Sequence, residues 1–500
     1  MLTLKDISKT YQDRIILNTI SFSLNDNETV GLVGLNGSGK TTLLKIIKGD
    51  VLPDTGTVDH ANGKIGYLPQ HFQISDETVE QFLKKYADAQ EEYKIRTVLT
   101  RVQLDDILLS QKVKTLSGGQ KTKLHLGVLL LQGPTILLLD EPTNNLDLDG
   151  LLWLEQFVKG FKGSILLTSH DRSFLDSVTS RVIELDGGEA RSYGGNYTFY
   201  KGQKEIEKQT ATQSYRENIR KSTALERAID QQKNRHENLS ISKKLDDNDK
   251  MQSDFLKEKS TQKTAQSKKA LETRLRRVGH TEKPEEYIHY PFDFKGDVHS
   301  SRCVLEAKNI SMRYGKKVVI KDASCIVLGQ ERIWISGKNG SGKSTLLKIL
   351  VGKVLSDEGS VEIGSLINVG YFSQEFDGQE NEKSVLQELE SYGASITDSY
   401  KYARFMNLKE DALKSKISNL SRGQQTKVEF IKLLMGDFQV LVLDEPTNHL
   451  EVSTREMIEE ALMQYKGAII VASHDRYFLE RIGIDREYGM EDGTLFLKRS

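Results

Sequence analysis

The chain has 500 residues, which is enough for two domains of ordinary size and a further segment. Its 70 Lys and Arg residues balance 71 Asp and Glu residues, so overall charge indicates no class of partner. Its two cysteines exclude a disulfide framework and a cysteine-rich metal module, which fits a reducing, cytoplasmic setting. No apolar run reaches the roughly 18 residues of a membrane span, and the first residues resemble no signal peptide.

Residues 1–200 predict an α/β domain. The alternation in Leu2–Ile7 predicts a strand at a sheet edge, and Thr29–Gly34 predicts a buried strand. The pattern Gly-x-x-x-x-Gly-Lys-Thr at 34–41 follows that strand and precedes an apolar-periodic helix, which is the context of a P-loop. Glycines there let backbone N–H groups surround a phosphate where a helix dipole favours anions. We expect these residues to contact nucleotide: Gly34, Asn36, Gly37, Ser38, Gly39, Lys40, Thr41 and Thr42.

Further polar motifs follow the P-loop in order. An apolar run at 136–140 predicts a buried strand that ends in Asp140 and Glu141. A carboxylate pair at such a strand end suits phosphoryl transfer, with Asp140 and Thr41 near Mg²⁺ and Glu141 as the base for water. Gln70 is placed to reach Mg²⁺ and the water. His170, in Ser-His-Asp-Arg after another short strand, is expected to contact the γ-phosphate.

The segment 201–280 differs from its surroundings. It contains no proline, and its 20 Lys and Arg against 12 Asp and Glu give a net charge of +8. Apolar residues at helical spacing predict a first helix of about 35 residues from Tyr215, Ile219 and their neighbours, and a second around Leu271 and Leu275. We therefore predict a long antiparallel helical hairpin with a polar tip at about 238–261. By charge alone, a solvated linker or plain coiled coil is the alternative.

Residues 301–500 repeat the plan of residues 1–200 at an offset of about 304, and a repeat at fixed offset outweighs other patterns. Glu445, His474 and Gln374 are the predicted catalytic counterparts, and Ser344, Gln374 and Asp444 are the predicted Mg²⁺ residues. Tyr11 and Tyr314 are each expected to stack on adenine, although a single aromatic is more often part of a core. The second P-loop supplies these expected nucleotide contacts: Gly337, Asn339, Gly340, Ser341, Gly342, Lys343, Ser344 and Thr345.

With the signatures Leu-Ser-Gly-Gly-Gln at 116–120 and Leu-Ser-Arg-Gly-Gln at 420–424, the motif set resembles the ATP-binding cassette superfamily. The resemblance implies an α/β fold with two tandem P-loop cassettes, 1–200 and 301–500, joined by the helical-hairpin linker 201–300. It also implies ATP hydrolysis with Mg²⁺ by a monomer whose cassettes pair, each signature closing the opposite ATP site. The signature contacts would come from Ser117, Gly118, Gly119, Gln120, Ser421, Gly423 and Gln424.

Within that superfamily the chain resembles the F subfamily. The resemblance rests on the basic linker, on Tyr-Gly-Gly-Asn-Tyr-Thr-Phe-Tyr at 193–200, and on Asp-Glu-Pro-Thr-Asn-His-Leu at 444–450. It implies a cytoplasmic protein that binds the 70S ribosome at the tRNA exit site and inserts its linker toward the peptidyl-transferase centre, near ribosomal RNA and peptidyl-site tRNA. Phosphate contacts are expected from Lys243, Lys244 and Lys250.

The resemblance leaves the role within translation open. Protection of the ribosome from antibiotics is favoured because the linker tip is substantial and the spacing from Gln70 to Ser117 leaves no room for an inserted arm. A housekeeping translation factor is the alternative. A hypothesis from another functional class is the fused ATPase subunit of a sugar importer, but such chains lack a basic helical hairpin. A role in DNA repair or chromosome maintenance is disfavoured. The repair relatives need zinc-binding cysteines, and the chromosome-maintenance relatives have a coiled coil inside one cassette, whereas the hairpin predicted here lies between two cassettes.

Two residues distinguish the second repeat from the first. Arg422 stands in its signature where glycine is usual, and Glu451 stands in its D-loop, 448–451, where the first D-loop, 144–147, has Asp147. Both residues lie at positions that the family resemblance places beside ATP or at the cassette interface. We therefore expect the two sites to hydrolyse ATP at unequal rates, and the sequence leaves open which is faster.

Overall fold

The structure is a computed structural model that describes residues 1–499 except 62, 71–75, 87–91, 106, 145, 243–265, 277–298, 301, 374–381 and 449. The chain divides into two compact units. One consists of Met1–Phe199 together with Tyr290–Ser500, and the other is Tyr200–His289. Residues 1–200, the first repeat, and 301–500, the second repeat, therefore share a unit.

The first repeat alternates strands and helices. Its strands are β1 (Leu2–Tyr11), β2 (Arg14–Leu24), β3 (Thr29–Gly34), β4 (Thr55–Asp59), β5 (Ile65–Leu68), β6 (Ile136–Asp140), β7 (Ser164–Thr168), β8 (Arg181–Asp186) and β9 (Glu189–Gly194). Its helices are α1 (Lys40–Lys48), α2 (Val79–Lys84), α3 (Glu92–Arg101), α4 (Gly118–Leu131), α5 (Leu148–Gly160) and α6 (Arg172–Val178). The segment between the repeats contains α7 (Tyr197–Ser242) and α8 (266–276).

The second repeat has the same order of strands. They are β10 (Cys303–Tyr314), β11 (Lys317–Leu328), β12 (Arg332–Gly337), β13 (Glu358–Ile363), β14 (Val369–Phe372), β15 (Val440–Asp444), β16 (Ala468–Ala472), β17 (Arg486–Glu491) and β18 (Thr494–Arg499). Its helices are α9 (Lys343–Leu350), α10 (Val385–Ser391), α11 (Ile396–Phe405), α12 (Glu410–Lys414), α13 (Arg422–Met435), α14 (Val452–Gln464) and α15 (Arg476–Ile482).

Among the described residues, the first repeat has a three-stranded antiparallel sheet, β2–β1–β4, and a six-stranded sheet, β5–β6–β7–β3–β8–β9. In the six-stranded sheet every neighbouring pair is parallel except β8 with β9. The second repeat joins the equivalent sheets into one through a parallel pairing of Lys321 with Thr494. The prediction of an edge strand at Leu2–Ile7 was wrong, because β1 lies in the middle of its sheet. Alternation of apolar and polar residues along a strand shows that one face of the strand is covered. It does not show whether both edges of the strand pair with neighbouring strands.

Alternating side chains of the central strands fill two separate cores. In the second repeat, Val440 and Val442 of β15 pack with Leu346 of α9, on the face that also carries the antiparallel strands. Leu441 and Leu443 belong to the opposite core, which contains helices α13 and α14. Because successive strand residues point to opposite faces, a strand that is covered on both sides is apolar throughout. This is why the buried strands could be recognised before each acidic pair.

Helix α7 is longer than predicted. It has 46 residues, which corresponds to about 69 Å at 1.5 Å per residue, and it begins at Tyr197 rather than near 201. The backbone N–H groups of Thr198 and Phe199 donate to the side chains of Asp176 (2.7 Å) and Asn196 (3.1 Å), which satisfies donors at the start of the helix. Most of the predicted tip lies outside the described residues, and the antiparallel pairing of α7 with α8 stays a prediction. Within the described part of the chain, no helix combines the length and apolar character needed to cross a bilayer.

Candidate nucleotide sites

Both P-loops have the same backbone geometry. The first connects β3 to α1 and the second connects β12 to α9, with Gly39 and Gly342 in the left-handed region at φ 102° and 108° just before each helix. The Lys40 Nζ donates to the carbonyls of Gly34 at 2.8 Å and Leu35 at 3.0 Å. Lys343 makes the equivalent pair of hydrogen bonds in the second repeat. Each ammonium is therefore held inside its loop, and the backbone N–H groups of each helix start remain available to a phosphate.

The loops leave room and donors for a polyphosphate. A Cβ placed on Gly37 or Gly340 would meet no atom within 4 Å, so the backbone there is open to close approach. The Ser38 and Ser341 Oγ atoms are buried and make no hydrogen bond among the described residues. The remaining predicted contacts lie at exposed loop positions, Asn36 and Asn339, or in the first turn of each helix: Thr41, Thr42, Ser344 and Thr345. These groups fit the phosphates of a nucleotide.

The two aspartates at the strand ends are held differently. Asp444 accepts a hydrogen bond of 3.0 Å from the Ser344 hydroxyl, so two of the three predicted Mg²⁺ residues of the second repeat are in contact. Asp140 instead accepts hydrogen bonds from Thr168 (2.9 Å) and Tyr67 (3.3 Å), two residues that the sequence analysis did not select. Burial raises the pKa of Asp444. A hydroxyl beside a carboxylate provides the oxygen ligands that Mg²⁺ prefers, so this pair fits the ion.

Glu141 and Glu445 occupy strained backbone positions at the ends of β6 and β15. Their φ values are 51° and 48°, a region that non-glycine residues seldom adopt and that is often found at functional sites. Each glutamate N–H donates to a carbonyl of the neighbouring strand, Glu141 to Thr168 at 3.2 Å and Glu445 to Ala472 at 2.8 Å, and the Glu141 N–H also donates to the Thr168 hydroxyl at 2.9 Å. Burial raises the pKa of each carboxyl to about 7. Each carboxyl therefore changes protonation state near neutral pH, as a group that accepts a proton in catalysis needs to do.

The two histidines lie beside these glutamates. In both repeats the His Nε2 lies 3.5 Å from the Glu Oε1, for His170 with Glu141 and for His474 with Glu445. The His170 N–H donates to the Glu141 Oε2 at 3.1 Å, and the His474 Nε2 lies 3.2 Å from the Asn339 Oδ1. Burial lowers the pKa of His170 to about 3 and that of His474 to about 4. Both rings are therefore neutral near pH 7.

The signature motifs form capping boxes at the starts of α4 and α13. The Gln120 N–H donates to the Ser117 Oγ at 3.2 Å, and the Ser117 N–H donates to the Gln120 Oε1 at 2.9 Å. Ser421 and Gln424 make the same pair of bonds. The glutamine side chains therefore stabilise their own helices. The amides of Gly118, Gly119 and Gly423 lie in the first turn, where a helix presents unpaired donors.

The remaining predicted residues are less tightly placed. Tyr11 and Tyr314 end β1 and β10 and are largely exposed, so neither belongs to a core. Gln70 is exposed directly after β5. Four of the predicted residues lie outside the described residues: Gln374, Lys243, Lys244 and Lys250.

Each D-loop reaches the P-loop of the other repeat. Asp147 and Asp149 line a cleft with Gly337, Lys338 and His474 of the second repeat. In the first site, burial lowers the pKa of Lys40, and the negative charge of Glu451 in the second D-loop opposes that effect. Asp147 also caps α5, because its Oδ1 accepts from the Gly150 N–H at 3.0 Å, whereas Glu451 makes no such bond at the start of α14. The repeats therefore face each other head to tail, and the Asp-to-Glu difference removes a helix cap.

Comparison with known proteins agrees with this geometry. The family model described as ABC transporter matches residues 17–144 and 320–448, just over half of the chain. The chain belongs to the ATP-binding cassette family. Within this family it is an F-subfamily protein, and it is an ATPase with two cassettes in tandem.

Relatives of this ABC-F ATPase match it over nearly its full length. It is 33% identical over 550 residues to ABC transporter F family member 5 of Arabidopsis thaliana, covering 98% of this chain and 75% of that protein. It is 32% identical over 534 residues to the putative ATP-binding protein YdiF of Bacillus subtilis, covering 96% and 79%.

Solved structures share the fold. RNase-L Inhibitor superimposes with a TM-score of 0.67 at 19% identity, covering 98% of this chain and 90% of that one. A model of ribosome-bound archaeal Pelota and ABCE1 gives a TM-score of 0.62 at 20% identity, covering 99% and 78%. At such low sequence identity, these matches show that the ABC-F ATPase shares the fold of these proteins and show nothing about its function.

The ABC-F ATPase also contains ion pairs between its repeats that the sequence analysis missed. Arg172 at the start of α6 pairs with Glu459 of α14, and Arg476 at the start of α15 pairs with Glu155 of α5. The preceding aspartate caps the helix in each repeat, through the Phe174 N–H at 2.8 Å in the first. The Asp and Arg of Ser-His-Asp-Arg therefore position the histidine loop and join the repeats. The sequence did contain a sign of this role, because the Asp and the Arg occur in both copies of the motif.

Proposed function

We propose that both sites of this ATPase bind ATP·Mg²⁺ and hydrolyse it with the residues placed above. Lys40 and Lys343, together with the amides of the helix starts, bind the β- and γ-phosphates. Mg²⁺ held by Thr41, Asp140 and Gln70, or by Ser344, Asp444 and Gln374, supplies positive charge that balances the phosphate oxygens. The buried, unpaired Ser38 and Ser341 hydroxyls and the contact of Ser344 with Asp444 support this assignment.

In this proposal Glu141 and Glu445 orient the attacking water and accept its proton. Their raised pKa values suit a base that must gain and lose a proton near neutral pH. His170 and His474, neutral beside those carboxylates, contact the γ-phosphate, and Tyr11 and Tyr314 stack on adenine. The signature amides of Ser117, Gly119, Ser421 and Gly423 hold the γ-phosphate bound in the opposite repeat, so hydrolysis releases the contact that closes the repeats.

We propose that this ATPase acts on the ribosome. The observation that carries the proposal is the basic segment that joins the two repeats in the sequence, which has a net charge of +8 over residues 201–280 and begins with the long helix α7. A positive helical segment binds RNA phosphates by releasing counterions, and it does so without a defined sequence. The name of one structural relative, ribosome-bound archaeal Pelota and ABCE1, supports the same partner. ATP binding would favour the closed state to which the ribosome binds.

The finer part of the proposal concerns where the segment goes. We place the protein in the cytoplasm as a monomer on the 70S ribosome, at the tRNA exit site. Its segment would extend toward the peptidyl-transferase centre, beside peptidyl-site tRNA and ribosomal RNA. Such a position lets the segment displace an antibiotic, and protection from antibiotics is the role we favour.

Ribosome pelleting of the Glu141→Gln, Glu445→Gln double variant tests the ribosomal part. The variant should bind ATP without hydrolysing it and should accumulate on 70S particles only when ATP is present. The matched control is Lys40→Ala with Lys343→Ala, which should bind neither ATP nor ribosomes. A folded double Glu→Gln variant that stays in the supernatant with ATP would show that the partner is not the ribosome.

Replacement of residues 238–261 by a short Gly-Ser linker tests the segment. ATPase activity without ribosomes should remain, whereas the effect on translation should be lost. Expression of the unaltered protein in a susceptible bacterium should raise tolerance to drugs that bind the peptidyl-transferase centre. Unchanged tolerance to lincosamides, pleuromutilins, streptogramins and phenicols would exclude the protective role and indicate a housekeeping factor.

A further inference from the structure

Arg455 is a buried cation that joins the second repeat to the catalytic loop of the first. It lies in the first turn of α14, and its Nη1 donates to the backbone carbonyl of His170 at 2.9 Å. Its Nε donates to the Leu450 carbonyl at 3.0 Å, and its Nη1 lies 3.4 Å from the Asp475 carboxylate. Several hydrogen bonds and an opposite charge therefore fix a guanidinium that would otherwise be costly to bury.

Through His170 the contact reaches the catalytic glutamate of the first site. Arg455 holds the His170 carbonyl, and the N–H of that same residue donates to the Glu141 Oε2 at 3.1 Å. Two consecutive hydrogen bonds thus connect a helix of the second repeat to the carboxylate of the first. Separation of α14 from the histidine loop would remove the first of these two hydrogen bonds.

The second site is anchored in another way. The residue of the first repeat that corresponds to Arg455 is Leu151, a buried apolar residue of α5 that can donate no side-chain hydrogen bond. The loop of His474 is held instead by Trp334 of β12, whose Nε1 donates to the Ser473 carbonyl at 3.1 Å. When the two P-loops are aligned, Gly31 of the first repeat corresponds to Trp334, and glycine has no side chain that could donate this hydrogen bond.

We propose that Arg455 is a positioning residue for hydrolysis at the first site, and that Trp334 has this task at the second. The inference rests on the proposed roles of the two glutamates. The first histidine loop is then anchored at a backbone carbonyl from the opposite repeat. In the second loop a backbone carbonyl is anchored by Trp334 of its own repeat, although Arg476 of that loop also pairs with Glu155 of the first repeat. Hydrolysis at the Lys40 site should accordingly depend more strongly on contact between the repeats.

The experiment measures ATP turnover with one site silenced at a time. In a Glu445→Gln background the remaining turnover comes from the first site, and in a Glu141→Gln background it comes from the second. Arg455→Leu, which copies Leu151, should lower kcat about tenfold in the first background, the effect of about one hydrogen bond. It should change KM for ATP less than twofold there, and it should lower kcat by a smaller factor in the second background, where Arg455 reaches the histidine loop only through Asp475 at 3.4 Å.

Three further variants separate positioning from folding. Trp334→Phe keeps an aromatic ring and removes the N–H donor, so it should lower kcat only in the Glu141→Gln background. Arg455→Lys keeps one donor and should restore part of kcat in the Glu445→Gln background. Leu151→Met, at the matched position, should change neither site. Circular dichroism and thermal unfolding verify that each variant is folded.

Equal losses in both backgrounds after Arg455→Leu would assign the residue to structure alone, and no loss in either would remove its role. A loss confined to the second site would reverse the assignment. If turnover in both silenced backgrounds equals that of the unaltered protein, the proposed catalytic role of the glutamates fails instead. The two failures are therefore distinguishable.

Discussion

The ion pair between Arg172 and Glu459 should be the main polar contact that holds the repeats together. The two side chains are 1% and 0% exposed, and both Oε atoms of Glu459 accept hydrogen bonds from the guanidinium. The Tyr477 ring lies 4.0 Å from the Arg172 guanidinium carbon, and Asp475 lies 3.8 Å from its Nη2. Glu459→Gln removes the charge of one partner and leaves the other buried.

The structure sets the size of the effect. Removing one partner of a fully buried pair costs about 3–5 kcal/mol. We expect the lower end of this range, because Asp475 at 3.8 Å compensates part of the charge that remains. The other ion pair between the repeats is a matched control, since the Arg476 side chain is 31% exposed and water can solvate it. Glu155→Gln should therefore cost about 1 kcal/mol or less. Arg172→Met with Glu459→Leu should recover most of the loss, because apolar replacement of both partners is close to neutral.

Urea unfolding measures these free energies, and each repeat carries its own fluorescent reporter. The chain has two tryptophans, Trp153 in α5 and Trp334 in β12, so emission follows both repeats. Added salt should reduce the effect of Glu155→Gln and leave that of Glu459→Gln nearly unchanged, because buried pairs are poorly screened. If Glu459→Gln costs no more than Glu155→Gln, burial does not determine the strength of this contact and the reasoning is refuted.

Three other predictions concern pH and the nucleotide loop. Because burial raises the pKa of Glu141 and Glu445 to about 7 and only the carboxylate accepts a proton, kcat/KM should rise as pH increases through about 7; a flat profile from pH 5.5 to 9 would contradict this. Burial lowers the pKa of His125 to about 4 from its ordinary 6.5, so the unfolded chain binds a proton there that the folded chain rejects. Stability should fall by up to about 3 kcal/mol as pH drops from 6.5 to 4, and His125→Leu should flatten the dependence in acid urea titrations. In Gly337→Ala the new Cβ would lie 2.4 Å from the Met490 carbonyl oxygen, so one of the two sites should lose its nucleotide and bound nucleotide, measured with a fluorescent ATP analogue, should fall by about half. Gly160→Ala, where a Cβ meets no atom within 4 Å and the backbone has no positive φ, should have little effect.

Local sequence predicted the elements that carry the site. Apolar runs ended in acidic pairs at the positions where β6 and β15 end, and the P-loop glycines precede α1 and α9 as expected. These features depend on neighbours a few residues away, so periodicity and turn chemistry are sufficient to find them. The length of α7 was underestimated at both ends. Capping by Asn196 and Asp176 begins the helix early, in the Tyr-Gly-Gly-Asn-Tyr motif, and the helix continues to Ser242, past the predicted start of the tip at 238.

Sequence by itself determined that this chain has two nucleotide sites, because the duplicated motifs are local and their spacing is visible. Only the tertiary structure decided which residues join the sites. Arg455 contacts His170 across 285 positions of sequence, and at its place in α14 nothing local distinguishes it from a surface arginine. Its partner depends on how two folded repeats face each other. The same facing gives the two histidine loops different carbonyl anchors, Arg455 of the opposite repeat for the first and Trp334 of its own repeat for the second.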